Sequence, residues 1–230
     1  MRPFRPPHWC RLTIPLLILS FMCSCASVQK QCAAGACRDN LGSGIQNFCV
    51  VAPDVLWRGA RPGKDGAAWL IQHGVRTIVN LELILDDQAA FGHVSLADPG
   101  NYQVGYFRVR DWEPLPVLAP AAVDDHVAHF LAIVSQQPGP VFVHCRYGVN
   151  RTGVMVAAYR VLIEGVAEEE AIEELGRYRG VWYKADAAYI RGLTPERREV
   201  IRRKVAQWIP RLQADARIVC AKRTCIVTDH

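Results

Sequence analysis

Residues 141–153 read VFVHCRYGVNRTG. Val141, Phe142 and Val143 make a wholly apolar run, the pattern of a short strand covered on both faces. Residues 152–163 are apolar over helical length and spacing. The chain therefore turns from strand to helix through a tight loop, with Gly148 available where a side chain would forbid the dihedral or the approach. In open α/β sheets that position, beyond the carboxyl ends of the strands, is where ligands bind. The loop amides and the helix amino terminus together make an anion nest. Cys145 stands at its floor, where the field that attracts an anion also favours a thiolate. Arg151 presents a planar fork that can grip two oxygens of a tetrahedral anion, which Lys cannot do. Arg146, Tyr147, Gly148, Val149 and Asn150 supply the rest of the cradle. Thr152 can donate its hydroxyl to the sulfur, and His144 is placed to hydrogen-bond backbone and hold the loop.

Outward from this stretch the chain alternates. Short β-type runs at 48–51 and 55–57 are broken by Pro53-Asp54, and 65–73 has helical apolar spacing stopped by Gly74. Strands follow at 76–81 and 102–109. Residues 120–137 are the clearest helix, with Val123, Val127, Phe130, Leu131 and Val134 on one stripe. Further helices are expected at 168–177 and 196–212. Such alternation predicts an α/β fold: a single domain over 46–215 with a central, largely parallel sheet flanked by helices.

The 230 residues are 50% hydrophobic and 21% charged, an ordinary globular balance sufficient for one sizeable core. The formal charge of +5 is a weak argument for a nucleic-acid partner, because Arg2, Arg5 and Arg11 lie in what reads as a leader. Residues 1–24 have a basic start, an apolar run from Leu12 to Met22, and then small residues. This is the three-part pattern of a secretory signal, and the run is shorter than the roughly 20 residues of a spanning helix. Met22-Cys23-Ser24-Cys25 resembles a bacterial lipobox, which would make Cys25 a lipidated first residue; cleavage after Ala26 is the other possibility. The expected location is thus the periplasm or outer envelope, membrane-anchored through lipid. Residues 25–45 read as a flexible linker.

Export changes the meaning of the nine cysteines. Cys32 and Cys37, in CAAGAC, have the same spacing as Cys220 and Cys225, in CAKRTC. In an oxidising compartment they could close two local loops or tie the ends together, with residues 216–230 as a cysteine-containing tail. Zinc is the competing reading, but the spacing is looser than ordinary zinc pairs. No metal or other cofactor is expected.

The run H-C-x5-R-T-G resembles the signature loop of the protein tyrosine phosphatase superfamily, in its dual-specificity branch. The likeness extends to Asn47-Phe48-Cys49-Val50-Val51-Ala52-Pro53, to Leu56-Trp57-Arg58-Gly59-Ala60-Arg61-Pro62, and to the strand from Arg76 to Leu81. It implies hydrolysis of phosphate monoesters through a phosphocysteine, with Cys145 as nucleophile and phosphate held by Arg151 and the loop 146–150. Phosphotyrosine or phosphoserine/threonine proteins are the first substrate class it suggests; inositol phosphates, phosphoinositides or a catalytically inactive binding module are the alternatives. The family also needs an acid for the leaving oxygen. Asp111, in RVRDWEPLP, is the candidate, with Glu113 as fallback and Asp124 or Asp125 farther off on a helix. Two departures bear on substrate. The x5 loop holds a single basic residue, Arg146, and Glu82 stands where relatives often have Arg; both argue mildly against a polyphosphorylated ligand.

Plain core packing would explain a buried His-Cys pair, but not Gly148, Arg151, Thr152 and Gly153 in register with it. A sulfurtransferase of the rhodanese type is a further alternative. The basic helix at 196–212 reads as a solvated face, His126 and His129 as boundary residues rather than a metal pair, and Arg58 and Arg61 as braces.

Overall fold

The structure is a computed structural model that describes residues 42–92 and 94–229. The leader, Cys25 and Cys32/Cys37 fall outside the described residues. The elements in chain order are β1 (Cys49–Ala52), β2 (Leu56–Ala60), α1 (Lys64–Gln72), β3 (Thr77–Glu82), β4 (Tyr102–Asp111), α2 (Leu115–Leu118), α3 (Pro120–Gln136), β5 (Val141–Cys145), α4 (Asn150–Leu162), α5 (Glu168–Gly176), α6 (Tyr183–Arg191), α7 (Pro195–Trp208), β6 (Ala216–Ala221) and β7 (Thr224–Asp229). Single 3₁₀ turns occupy Gln88–Ala90 and Ile209–Arg211.

All seven strands join one sheet in the order β1-β2-β5-β3-β4-β6-β7. The central four, β2, β5, β3 and β4, run parallel; β1 is antiparallel to β2, and β6 and β7 close the other side antiparallel. The α/β sheet expected from the alternation is therefore the observed one. Every residue of β3 and β5 is buried, as strands covered on both faces require. Side chains alternate across the sheet: Val141 and Val143 pack in a core with α3, α4, α5 and α6, while Phe142 packs on the other face with Leu70 and Ile71 of α1.

Three sequence expectations change. Residues 216–230 are not a tail. ARIVCA buries alternate residues, Ala216, Ile218 and Cys220, and the β6–β7 hairpin, marginal alone, is held by pairing with β4, Tyr102 opposite Cys220. Cys220 and Cys225 form a disulfide within that hairpin, the local loop rather than the tie between ends. The linker boundary also moves, because Ile45 is buried and fills the space above Gly59 and Gly66. Finally, α6 was not anticipated: YKADAAYIR carries its buried face on Ala187, Tyr189 and Ile190 beside an equally buried Asp186, and that charge breaks the apolar stripe a sequence reading looks for.

Candidate active site

Strand β5 ends on Cys145, which is 2% exposed and is the free cysteine among the described residues. The chain turns through residues 146–149 and enters α4 at Asn150. The register places Ala60 of β2 beside Cys145 and Gly59 beside His144. Gly148 needs both liberties of its residue type. Its φ is +65°, and a Cβ there would lie 2.4 Å from the backbone of Gly59.

What orients the loop is a set of donors on its outer side. The Arg61 amide donates to the Cys145 carbonyl at 2.8 Å. Asn47 Nδ2 donates to the Tyr147 carbonyl at 2.8 Å, from a residue in the left-handed region that Asn tolerates. Arg58 donates to the Gly148 carbonyl. Three loop carbonyls are thereby engaged by donors from outside the loop, which is compatible with an anion nest, where the amides face the opposite way. Arg58 is almost wholly buried, lies 3.9 Å from the Tyr178 ring centroid and interacts electrostatically with Cys145. Burial depresses its pKa, while Tyr178, Cys145 and Glu174 oppose that fall. The brace is thus also a positive charge that interacts with the sulfur.

Arg151 Nη1 donates to the Leu81 carbonyl at 3.3 Å and Nη2 to Glu113 Oε1 at 3.2 Å. Its Nε and the fully buried hydroxyl of Thr152 have no hydrogen-bond partner among the described residues. Unpaired buried polar groups are costly, and an anionic ligand and a thiolate are acceptors suited to them. His144 departs from expectation. Neither ring nitrogen has a hydrogen-bond partner among the described residues; Nε2 lies 3.5 Å from Asp87 Oδ2. Burial lowers its pKa and so keeps the ring neutral despite Asp87. Its contact is the ring of Phe142, stacked at 5.7 Å.

Asp111 is the last residue of β4, buried, across from Glu82 of β3. His126 Nδ1 and the Trp112 amide both meet its Oδ1 at 2.9 Å. Both bonds fall on one oxygen of the carboxylate. Glu113 stays in the site on Arg151, whereas Asp124 and Asp125 are engaged elsewhere. Asp124 accepts from Tyr189 and pairs with Arg197, and Asp125 meets Lys204 and Trp208.

Residues 50–187, more than half of the chain, match the family described as DSP-PTPase phosphatase fused to NAD+ kinase. The chain belongs to that family. The match contains Cys145 through Arg151 and Asp111, and it ends just after Asp186. Among relatives of this chain, the dual specificity protein phosphatase TpbA of Pseudomonas aeruginosa is 31% identical over 142 residues, 60% of this chain. The chain spans 58% of the length of that relative. A chloroplastic NAD kinase 2 of Arabidopsis thaliana is 29% identical over 139 residues, 55% of this chain and 12% of that protein. The crystal structure of P. aeruginosa TpbA superposes with a TM-score of 0.56 at 25% identity, over 76% of this chain and 99% of that one. The Siw14 catalytic core, at 0.52 and 17% identity over 72% of this chain and 95% of that one, shares the fold.

Two residues of the DSP-PTPase site escaped the sequence reading. His126, taken for a boundary histidine, holds Asp111. Asp186 on α6 accepts from Asn150 Nδ2 at 3.0 Å, at the start of the helix that carries Arg151. Burial first, then Asp111 and Glu113, push the Asp186 carboxyl up to about 7, against the hydrogen bond from Asn150. An unfolded Asp titrates near about 3.9. The folded state therefore holds this proton more tightly, and the group's contribution to stability is fully present below about pH 4 and is lost as pH rises through about 7. Asp186→Asn removes that loss. Urea unfolding is expected to find the variant more stable than wild type at pH 8, by on the order of 2–4 kcal/mol. The two should converge at pH 4; a difference independent of pH would refute the assignment.

Proposed function

We propose that this chain is a cysteine-dependent phosphatase that hydrolyses phosphate monoesters through a phosphocysteine intermediate. The observation that supports the reading is the loop after β5, whose carbonyls are held by donors from Asn47, Arg58 and Arg61, and which begins on the buried free Cys145 and leads into Arg151 and Thr152, whose Nε and hydroxyl have no partner among the described residues. The Cys145 thiolate attacks phosphorus and forms the S–P bond as the ester P–O bond breaks. Asp111 gives its proton to the departing oxygen. Water then attacks phosphorus, its proton passes to the Asp111 carboxylate, and the S–P bond breaks to release inorganic phosphate. Arg151 binds two equatorial oxygens throughout, exchanging Glu113 for the substrate.

A panel of phosphate esters tests the acid. Asp111→Asn is expected to slow alkyl phosphates by about 10²–10⁴-fold, and p-nitrophenyl phosphate much less, because nitrophenolate leaves without a proton. Glu113→Gln should keep this leaving-group dependence. If the pattern belongs instead to Glu113, the acid is misassigned.

Kinship with proteins named protein phosphatases makes phosphoproteins the first carriers of the phosphate; the surface around the mouth of the site argues for another. The leader, the lipobox-like stretch and the Cys220–Cys225 disulfide support export with a lipid at Cys25. Mass spectrometry of the membrane-extracted protein should find Cys25 as an acylated first residue, whereas an intact Met1 would exclude it.

A further inference from the structure

The rim of the site is apolar where soluble proteins are polar. The loop after β3 exposes Ile84 at 88%, the segment after β4 exposes Trp112, Val117 and Leu118, the loop after β5 exposes Tyr147, and the turn between α5 and α6 exposes Val181 at 95%. The first three lie at the carboxyl edge of the parallel strands, around Cys145. The fourth sits against the same loop: Gly180 packs on the Asn150 amide and Tyr178 on Arg58. Large apolar side chains scattered singly need no explanation, but a cluster around one opening marks a contact surface. Cations stand among them. Arg146, Arg177, Arg179 and Lys184 are exposed and pair with no carboxylate among the described residues. The acids at that edge are matched, Asp86 by Arg108 and Glu113 by Arg151.

We propose that this face seats on an anionic lipid bilayer, and that the phosphate entering the Cys145 loop is borne by a lipid headgroup. The inference rests on the cysteine chemistry proposed above and adds what carries the phosphate. The exposed apolar side chains are spread over four separate segments at one edge of the fold, so they suit a planar apolar medium better than an extended peptide. Aliphatic tips enter the acyl boundary, Trp112 and Tyr147 fit the headgroup level, and the basic residues meet anionic lipid. The proposed lipid at Cys25 adds reach, since the chain from there to Gly42 can span at most about 60 Å.

The test uses the full chain and an Ile84→Ser/Val181→Ser double variant, neither residue being part of the phosphate loop. Four substrates are compared: phosphatidic acid in phosphatidylcholine–phosphatidylglycerol vesicles, the soluble pair of short-chain phosphatidic acid and p-nitrophenyl phosphate, and a phosphotyrosyl peptide as the competing surface. The variant should lose about tenfold on vesicles, and retain wild-type rates on both soluble substrates. Wild-type turnover on vesicles should fall with added salt. An N-terminal lipid would contribute equally to both proteins, so their difference reports the rim. Equal vesicle rates for variant and wild type overturn the inference while leaving the phosphatase intact. A loss by the variant on phosphotyrosyl peptides, with none on vesicles, overturns it in favour of a peptide surface. Failure of the wild type on p-nitrophenyl phosphate overturns the underlying cysteine chemistry instead.

Discussion

Cys145→Ser is expected to lower turnover of p-nitrophenyl phosphate by at least about 10⁴-fold while leaving phosphate binding within a few-fold of wild type. The reasoning is geometric as much as chemical. The sulfur ends a fully buried strand, with the Arg58 charge interacting with it and the Thr152 hydroxyl, nearby in sequence, without a partner among the described residues. A serine hydroxyl occupies similar space but stays protonated, so the nucleophile is lost and the anion nest is not. The loop is held by Asn47, Arg58 and Arg61 through main-chain carbonyls, none of which the substitution touches. Calorimetric titration with inorganic phosphate alongside the kinetics separates the two effects. A variant keeping a hundredth of wild-type turnover would show that another group attacks phosphorus.

The second large effect falls on Arg151→Lys, which keeps the charge and removes the fork. We expect kcat/KM to fall by about 10³-fold, on the scale of losing more than one preorganised donor to transition-state oxygens. Most of the loss should appear in kcat, since the equatorial oxygens carry their greatest demand in the transition state. Arg151 also donates to the Leu81 carbonyl and to Glu113. The half-exposed Glu113 can turn to water, so unfolding midpoints should move little. A change confined to KM would mean that Arg151 binds substrate and transition state alike, and the bidentate role would be withdrawn.

Both predictions concern residues named by a thirteen-residue stretch, and this is where the sequence was most informative. Strand, loop and helix are adjacent in the chain there, so apolar pattern, one glycine and the Cys-to-Arg spacing sufficed. The residues that complete the site come from elsewhere. Arg58 was read as a general brace, and its interaction with the sulfur depends on β2 pairing in parallel with β5. His126 reaches Asp111 because α3 returns beside the end of β4. Asp186 meets Asn150 across a 36-residue separation. No local pattern encodes such meetings. His144 shows the converse failure: its spot beside the cysteine suggested a hydrogen bond to backbone, but the ring points into packing.

The C-terminal hairpin makes the same division. Paired cysteines in CAKRTC stood out in the sequence, whereas the alternation in ARIVCA became meaningful only against an unpaired β4 edge. Sequence by itself determined the α/β class and the strand–loop–helix unit, and singled out Cys145 and Arg151, because each follows from local periodicity and short-range chemistry. Tertiary structure alone decided which distant charges interact with that thiol and which apolar loop tips share its edge of the sheet. Those depend on strand order and helix docking, which are set by burial summed over the whole core.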